Sequence, residues 1–322
     1  MAPLSSAPGS VWRLLAGASA TLATGAVAAV PSVQLAGGGR MPMVGLGLCC
    51  RPSATGDAVR QSVLDFLLLG GRHLDGAQLY GNHREVGEGI RQAVAQGVPR
   101  EEVFLTTKIS PDLFGFEKAT AWVPRMLGEL GLDYVDLVLL HWAGDADPVC
   151  ISPKQCRQET WVALQRFVHS GKIRNLGVSN FGPRQMKEIM ALGGVPISAN
   201  QFEFHPFSEA VHRDTVAFCH QHGIAVTAYG SMGSSGGAQQ VTTQGAFQQL
   251  GQQFGKTAGQ VLLRWAVQQN VTVIPGTGNP KHMRENLDIF DFELPQDAMA
   301  WMSSLWQGQT MNFFGHTPDA II

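Results

Sequence analysis

The strongest constraint on the fold of this chain is a regular alternation of short apolar runs with helix-period segments along most of its 322 residues. The apolar runs predict strands at about 44–47, 72–75, 103–107, 135–140, 173–178, 197–201, 224–229 and 271–274. Apolar spacings of three and four residues predict helices at about 57–69, 83–96, 117–130, 158–170, 183–192, 209–222, 257–269 and 280–289. Ser179-Asn180-Phe181-Gly182-Pro183 ends a strand and opens a helix with proline in its first turn, and Asn279-Pro280 repeats the device. Runs such as Val135-Asp136-Leu137-Val138-Leu139-Leu140 suit strands buried on both faces, as parallel strands are. Eight strands, each followed by a helix, predict a (β/α)8 TIM barrel. An open doubly wound sheet is the alternative, but its Gly-x-Gly-x-x-Gly fingerprint is missing. Gly45-Leu46-Gly47 is the nearest match, and no helix pattern starts directly after it. Val33-Gln34-Leu35 and Arg40 to Met43, joined by the glycine-rich turn Ala36 to Gly39, predict a short β-hairpin ahead of the barrel.

The hydrophobic fraction of 44% is enough for a sizeable core. A formal net charge of −2 gives no electrostatic reason to expect nucleic acid or an anionic membrane as a main partner. Cys49, Cys50, Cys150, Cys156 and Cys219 are odd in number and contain no Cys-x-x-Cys, so they read as reduced thiols in a reducing compartment. No pair has zinc-ligand spacing, so no metal is expected. Residues 1–32 form a leader rich in Ala, Ser and Gly, with no acidic residue before Asp57 and with Arg13 as the only cation ahead of Arg40. Its apolar stretch, Leu14 to Val30, is too rich in small residues for stable membrane insertion. An organelle transit peptide, a secretory signal and a disordered tail all stay open as readings of it. The expectation is a soluble monomer, cytoplasmic or delivered to a plastid or mitochondrion, with residues 33–322 as the barrel domain and its C-terminal tail.

Polar residues recur where the strands end. Asp75, Lys108, His141, Ser179 with Asn180, Gln201 and Tyr229 close six consecutive strands, and Pro275-Gly276-Thr277 follows the last. In a barrel these ends share one rim, where active sites are built. Tyr80 follows Asp75 closely. A tyrosine with an ordinary pKa near ~10 is a poor proton donor at neutral pH, and a neighbouring ammonium lowers that value. Lys108 can supply the ammonium, Asp75 can compensate its burial, and His141 can orient a carbonyl oxygen. Taken singly, Asp75 reads as a helix cap, Tyr80 as a half-buried aromatic, Lys108 as a rim lysine and His141 as a core histidine. The argument rests on the set.

Gly71-Arg72-His73-Leu74-Asp75-Gly76-Ala77-Gln78-Leu79-Tyr80-Gly81-Asn82 resembles the signature of the aldo-keto reductases. The resemblance continues through Thr106-Thr107-Lys108, Leu140-His141-Trp142, Gly171 to Phe181, Asn200 to Pro206, Val273 to Thr277 and Glu285-Asn286, and so covers about residues 33–300. It implies hydride transfer from a reduced nicotinamide to an aldehyde or ketone, with Tyr80 as general acid and Asp75, Lys108 and His141 completing a catalytic tetrad. It implies further that Asp75, Ser179, Asn180 and Gln201 lie at the nicotinamide end and that Tyr229 stacks on its ring. Ser234 matches a phosphate-side contact, Glu285 and Asn286 match adenine contacts, Thr277 falls among the cofactor-binding positions, and His141 and Trp142 match the substrate pocket.

The departures from the family pattern concern the cofactor. Gly276 and His282 stand where the family has a lysine and an arginine for the adenosine 2′-phosphate, so NADPH is expected with weakened preference over NADH. Lys281 and Arg284 lie nearby. Leu48-Cys49-Cys50 replaces a Thr-Trp-Lys, removing a pocket aromatic and a pyrophosphate-clasping cation. The vicinal cysteines read as small apolar fillers, with a redox switch as the alternative. Tyr229-Gly230-Ser231-Met232-Gly233, with Gly236 and Gly237 beyond it, predicts a loop that folds over the cofactor. Trp301, Trp306, Phe313 and Phe314 are expected to dock the tail on the barrel, with the wall of an apolar pocket as the alternative. Two other functions compete: a metal-dependent hydrolase using Asp75, His141 and His205, and a non-catalytic nicotinamide-binding regulatory subunit.

Overall fold

Eight parallel strands lie side by side in chain order: β3 (Gly45–Gly47), β4 (His73–Asp75), β5 (Phe104–Ile109), β6 (Val135–Leu140), β7 (Ile173–Ser179), β8 (Ile197–Glu203), β9 (Ala225–Tyr229) and β10 (Val271–Val273). The computed structural model describes residues 30–51, 54–144, 151–208, 210–233 and 245–305. The sheet curls until its first and last strands meet. Val44 forms a parallel bridge to Val273, the Val273 amide donates to Met43 O at 2.9 Å, and the Gly47 amide donates to Pro275 O at 3.3 Å. The expected barrel is therefore the observed one, with β4, β5, β6 and β8 buried along their whole length.

Helices α1 (Gly56–Leu68), α2 (His83–Ala95), α3 (Phe116–Leu130), α4 (Pro153–His169), α5 (Pro183–Met190), α6 (Ala210–Gln221), α7 (Gly245–Gln252), α8 (Ala258–Val267), α9 (Pro280–Leu287) and α10 (Gln296–Ser303) complete the described fold. Neighbours in the ring pack on one another, from α1 through α5, and α9 returns to α1 and closes it. Local chemistry sets the helix starts. The Thr257 hydroxyl accepts from the Gln260 amide while Gln260 reaches back to the Thr257 amide, a reciprocal cap for α8. Asn279 accepts from the Lys281 amide with Pro280 at the first helical position of α9.

Two helical features depart from expectation. Helix α4 starts at Pro153 instead of 158, because Ser152 accepts from the Gln155 amide and Pro153 supplies a ready first-turn φ. Helices α7 and α10 are additions. The first buries Phe247 and Leu250, and the second buries Ala298 and Met302. Trp301 packs on Phe247 with ring centroids 5.2 Å apart, and Trp265 Nε1 donates to Ser303 Oγ at 3.3 Å, so α10 is docked against the barrel's helices. Each fully buried large apolar side chain, such as Phe202 or Phe204, contributes about 1.5–3 kcal/mol relative to exposure. Trp306, Phe313, Phe314 and most of the leader lie outside the described residues. Among those described, no helix is long and apolar enough to cross a membrane.

The hairpin of β1 (Ser32–Gln34) and β2 (Arg40–Pro42) sits across the N-terminal end of the barrel. The Gly37 amide donates to Ser198 Oγ at 3.1 Å, and a Cβ at 37 would fall 2.8 Å from that oxygen, so the turn tolerates no side chain there. A cavity of about 820 Å3 opens at this end, bordered by Arg40, Arg72, Asp136 and Arg174. Asp136 is buried and paired with Arg100 at 3.1 Å and Arg174 at 3.2 Å. These groups lock the barrel floor, away from the rim where the strands end.

Candidate active site

Parallel pairing brings the predicted residues onto one rim. Gly47 pairs with Asp75 between β3 and β4, and Ser179 pairs with Gln201 between β7 and β8. Lys108, in β5, is fully buried, and its ammonium donates to Asp75 Oδ1 at 2.5 Å, Gly76 O at 2.9 Å and the Tyr80 hydroxyl at 3.2 Å. An ammonium has three N–H donors, so these three acceptors saturate it. Tyr80 ends a single 3-10 turn (Gln78–Tyr80) that follows β4, and Gly81 closes the turn at φ 63°.

His141 is the first residue after β6, its amide held by Ile109 O at 3.0 Å. Its ring meets that of Tyr80 edge to face, with centroids 5.9 Å apart. Among the described residues, its Nδ1 is buried without a hydrogen-bond partner. Burial, helped by the positive charge of Lys108, pulls its pKa down to about 3, so the imidazole is neutral.

Tyr80 differs from the sequence reasoning in one respect. Its phenol is held above the ordinary tyrosine range, because burial outweighs the opposing ammonium of Lys108. Lys108 is also held above its ordinary value: burial pulls it down, but Asp75 and Tyr80 more than offset that. At neutral pH the constellation is therefore a neutral phenol on a cationic ammonium, beside a neutral imidazole.

A second network flanks the first. Gln201 Nε2 donates to Asp75 Oδ2 at 2.7 Å, so both carboxylate oxygens are engaged. Asn180, at φ 60°, donates through Nδ2 to His141 O at 2.9 Å and to Ser179 Oγ at 3.1 Å. Its Oδ1 accepts from the Tyr229 hydroxyl at 2.8 Å. A non-glycine residue in left-handed backbone persists only where the surroundings hold it, and these three bonds do so. Trp142 is half-buried next to His141.

Beyond the ends of β9 and β10 the rim opens into a groove of about 700 Å3, bordered by Met232, Gly276, Thr277, Glu285 and Asn286. The groove and the Ser179–Asn180–Gln201–Tyr229 cluster both lie at the ends of the barrel strands, on the same rim. An elongated dinucleotide fits this arrangement, with amide and hydroxyl groups at one end and an open groove at the other. Ser234 lies outside the described residues.

The structure separates the residues of the competing metal site. His205 Nε2 lies 3.0 Å from Glu203 Oε1, and its Nδ1 accepts from the Phe207 amide at 3.2 Å. Asp75, His141 and His205 form no ligand cluster among the described residues. The cysteines also depart from expectation. Cys49 and Cys50 form a vicinal disulfide, with Cys50 at φ 65°, and Cys156 is disulfide-bonded. Cys219 is a buried thiol whose pKa burial pushes up to about 12. The expectation that all five cysteines are reduced thiols is therefore corrected at Cys49, Cys50 and Cys156.

Two polar residues were missed. Asn82 Nδ2 donates to Leu48 O and Ala54 O, both at 3.0 Å, and ties the loop after β3 to the Tyr80 turn. Arg51 reaches from that loop to the Thr277 carbonyl. Its sequence signal was a cation directly after the lost pyrophosphate lysine position, Cys50.

Comparison with known proteins matches this geometry. The sequence profile of the Aldo/keto reductase family matches residues 53–307. A 9,11-endoperoxide prostaglandin H2 reductase of Trypanosoma cruzi is 35% identical over 282 residues, covering 85% of this chain and 93% of that protein. Aldo-keto reductase family 1 member A1 of Mus musculus is 34% identical over 293 residues, covering 85% and 89%. The crystal structure of a Bombyx mori aldo-keto reductase in complex with NADP superposes with a TM-score of 0.79 at 31% identity, covering 88% of this chain and 94% of that one. The chain belongs to the aldo/keto reductase family, as a barrel oxidoreductase that reduces carbonyls with a nicotinamide cofactor.

Proposed function

We propose that Tyr80 is the general acid of this reductase and that Asp75, Lys108 and His141 tune and position it. The observation that supports this assignment is the saturated ammonium of Lys108, shared between Asp75, the Gly76 carbonyl and the Tyr80 hydroxyl. A bound reduced nicotinamide supplies the hydride. Tyr80 then gives its proton to the carbonyl oxygen as negative charge builds there, and the Lys108 ammonium stabilises the phenolate left behind. Asp75 keeps that ammonium charged and aimed. His141, neutral at working pH, offers an N–H to the same oxygen and fixes its direction. Trp142 borders the substrate on the His141 side.

Ser179, Asn180 and Gln201 hold the carboxamide end of the cofactor, Tyr229 faces its ring, and Thr277, Glu285 and Asn286 receive the adenosine end. Ser234 belongs to the phosphate side on this reading. NADPH is the dinucleotide used, with weakened discrimination because Gly276 and His282 supply no fixed cation. The substrate is a small aldehyde or ketone.

A carbonyl panel assayed with NADPH and NADH in parallel tests the reading. Turnover of some panel members, with a kcat/KM ratio for NADPH over NADH below about 1000-fold (about 4 kcal/mol), is expected. A larger ratio would contradict the weakened preference, and absence of turnover with both dinucleotides would contradict the substrate class.

A further inference from the structure

Gly276 and Arg51 occupy complementary positions on the cofactor rim. Arg51 follows the vicinal cysteines beyond the end of β3, whereas Gly276 follows β10. The guanidinium spans the seam where the barrel closes. Nη1 donates to Gly47 O, and Nη2 donates to Thr277 O at 3.2 Å. A Cβ on Gly276 would fall 2.8 Å from Arg51 Nη1. Gly276 does not have left-handed backbone, so its conformation does not demand glycine. What glycine supplies there is room, and the guanidinium takes it.

Two lysines border the groove itself. Lys256 is paired with Asp288 and Asp291, each at 2.7 Å, and its charge is offset twice. Lys281 is exposed and lies 3.8 Å from Glu285. Arg51 is half-buried, and desolvation pulls its pKa only down to about 10, so it remains a cation at neutral pH. Its planar fork suits a phosphate better than a point charge does, and the carbonyls of Gly47 at the end of β3, Cys49 just after it and Thr277 after β10 pre-orient it.

We propose that Arg51, seated beside Gly276 and Thr277 at the edge of the groove, is the phosphate-binding cation of the dinucleotide site. The inference rests on the cofactor reading above and adds to it a residue that keeps phosphate affinity where Cys50, Gly276 and His282 supply no fixed cation. The group contacted is a phosphate of the dinucleotide, either the pyrophosphate shared by NADPH and NADH or the 2′-phosphate of NADPH alone.

Dissociation constants for NADPH and NADH, measured by calorimetry on the full chain, test it with Arg51→Ala, Arg51→Lys and the double variant Arg51→Ala/Gly276→Lys. Loss of a charge-assisted bond predicts about 10- to 100-fold weaker NADPH binding for Arg51→Ala. A smaller loss is expected for Arg51→Lys, which keeps the charge without the fork. The double variant, returning a cation to the space beside Gly276, is expected to recover most of the affinity. A loss shared by NADH identifies the pyrophosphate and one confined to NADPH identifies the 2′-phosphate, and either supports the proposal. Should Arg51→Ala not fold, the Arg51→Lys loss carries the test. Wild-type binding that neither Arg51 variant alters would overturn this proposal alone. Wild-type protein binding neither dinucleotide would overturn the cofactor reading and this proposal together.

Discussion

Lys108 and Asp75 meet across adjacent strands with 2.5 Å between ammonium and carboxylate, and both side chains are buried. Neither charge is tolerable there alone, since an unpaired buried ion costs several kcal/mol. The pair is therefore stable only as a unit, and it faces the Tyr80 hydroxyl.

A double-mutant cycle measures this dependence. Asp75→Asn and Lys108→Met are each expected to destabilise the fold by about 3–5 kcal/mol. The double variant should be less destabilised than the sum, with coupling of at least about 1 kcal/mol. Activity should be lost in all three. Strict additivity in urea unfolding would show that the two side chains do not depend on each other.

The pH profile of carbonyl reduction follows from two opposed shifts. Tyr80 must be protonated to act, and its pKa lies above the ordinary tyrosine value, so deprotonation does not limit the rate until well into alkaline solution. His141 must be neutral, and its pKa of about 3 leaves it so throughout the mild acid range. The chemical step, followed by single-turnover kinetics, should be flat from about pH 5 to 9. A bell centred near neutrality would contradict these protonation states.

Stability, in contrast, should depend on pH. His73, buried between Pro42 O and Thr106 Oγ1 at 3.1 Å each, is pulled down to about 4 by burial, and His141 to about 3. Both are near 6.5 when unfolded. The unfolded chain thus binds more protons below about pH 6.5, and folding stability is lost as pH falls from there toward the folded values. Near pH 5 the two together should give a slope of about 2.5 kcal/mol per pH unit. Replacing His73 with Gln should reduce the slope by about half. An unchanged slope would mean that His73 is not held neutral.

Much of this was legible in the residues themselves. Apolar runs marked all eight barrel strands, because parallel strands buried on both faces leave a nearly unbroken apolar signature. Tetrad candidates were legible because strand ends in such a barrel share a rim. Helix α4 began five residues early because its first turn is polar, and only the Ser152–Pro153 cap reports it. Helix α7 was hidden by its glutamines, which carry little amphipathic signal. The direction of the Tyr80 shift depends on a balance between burial and one ammonium, which residue types alone do not decide. Arg51 was missed because its position depends on an absent side chain 225 residues away.

The central claim is that Tyr80 supplies the proton. Tyr80→Phe removes one hydroxyl and keeps the ring that faces His141. Its single-turnover reduction rate, measured with saturating NADPH and an aldehyde that wild-type enzyme reduces, should fall by about 10^2- to 10^4-fold while the dissociation constant for NADPH stays within about threefold. A rate within a few-fold of wild type would contradict the assignment.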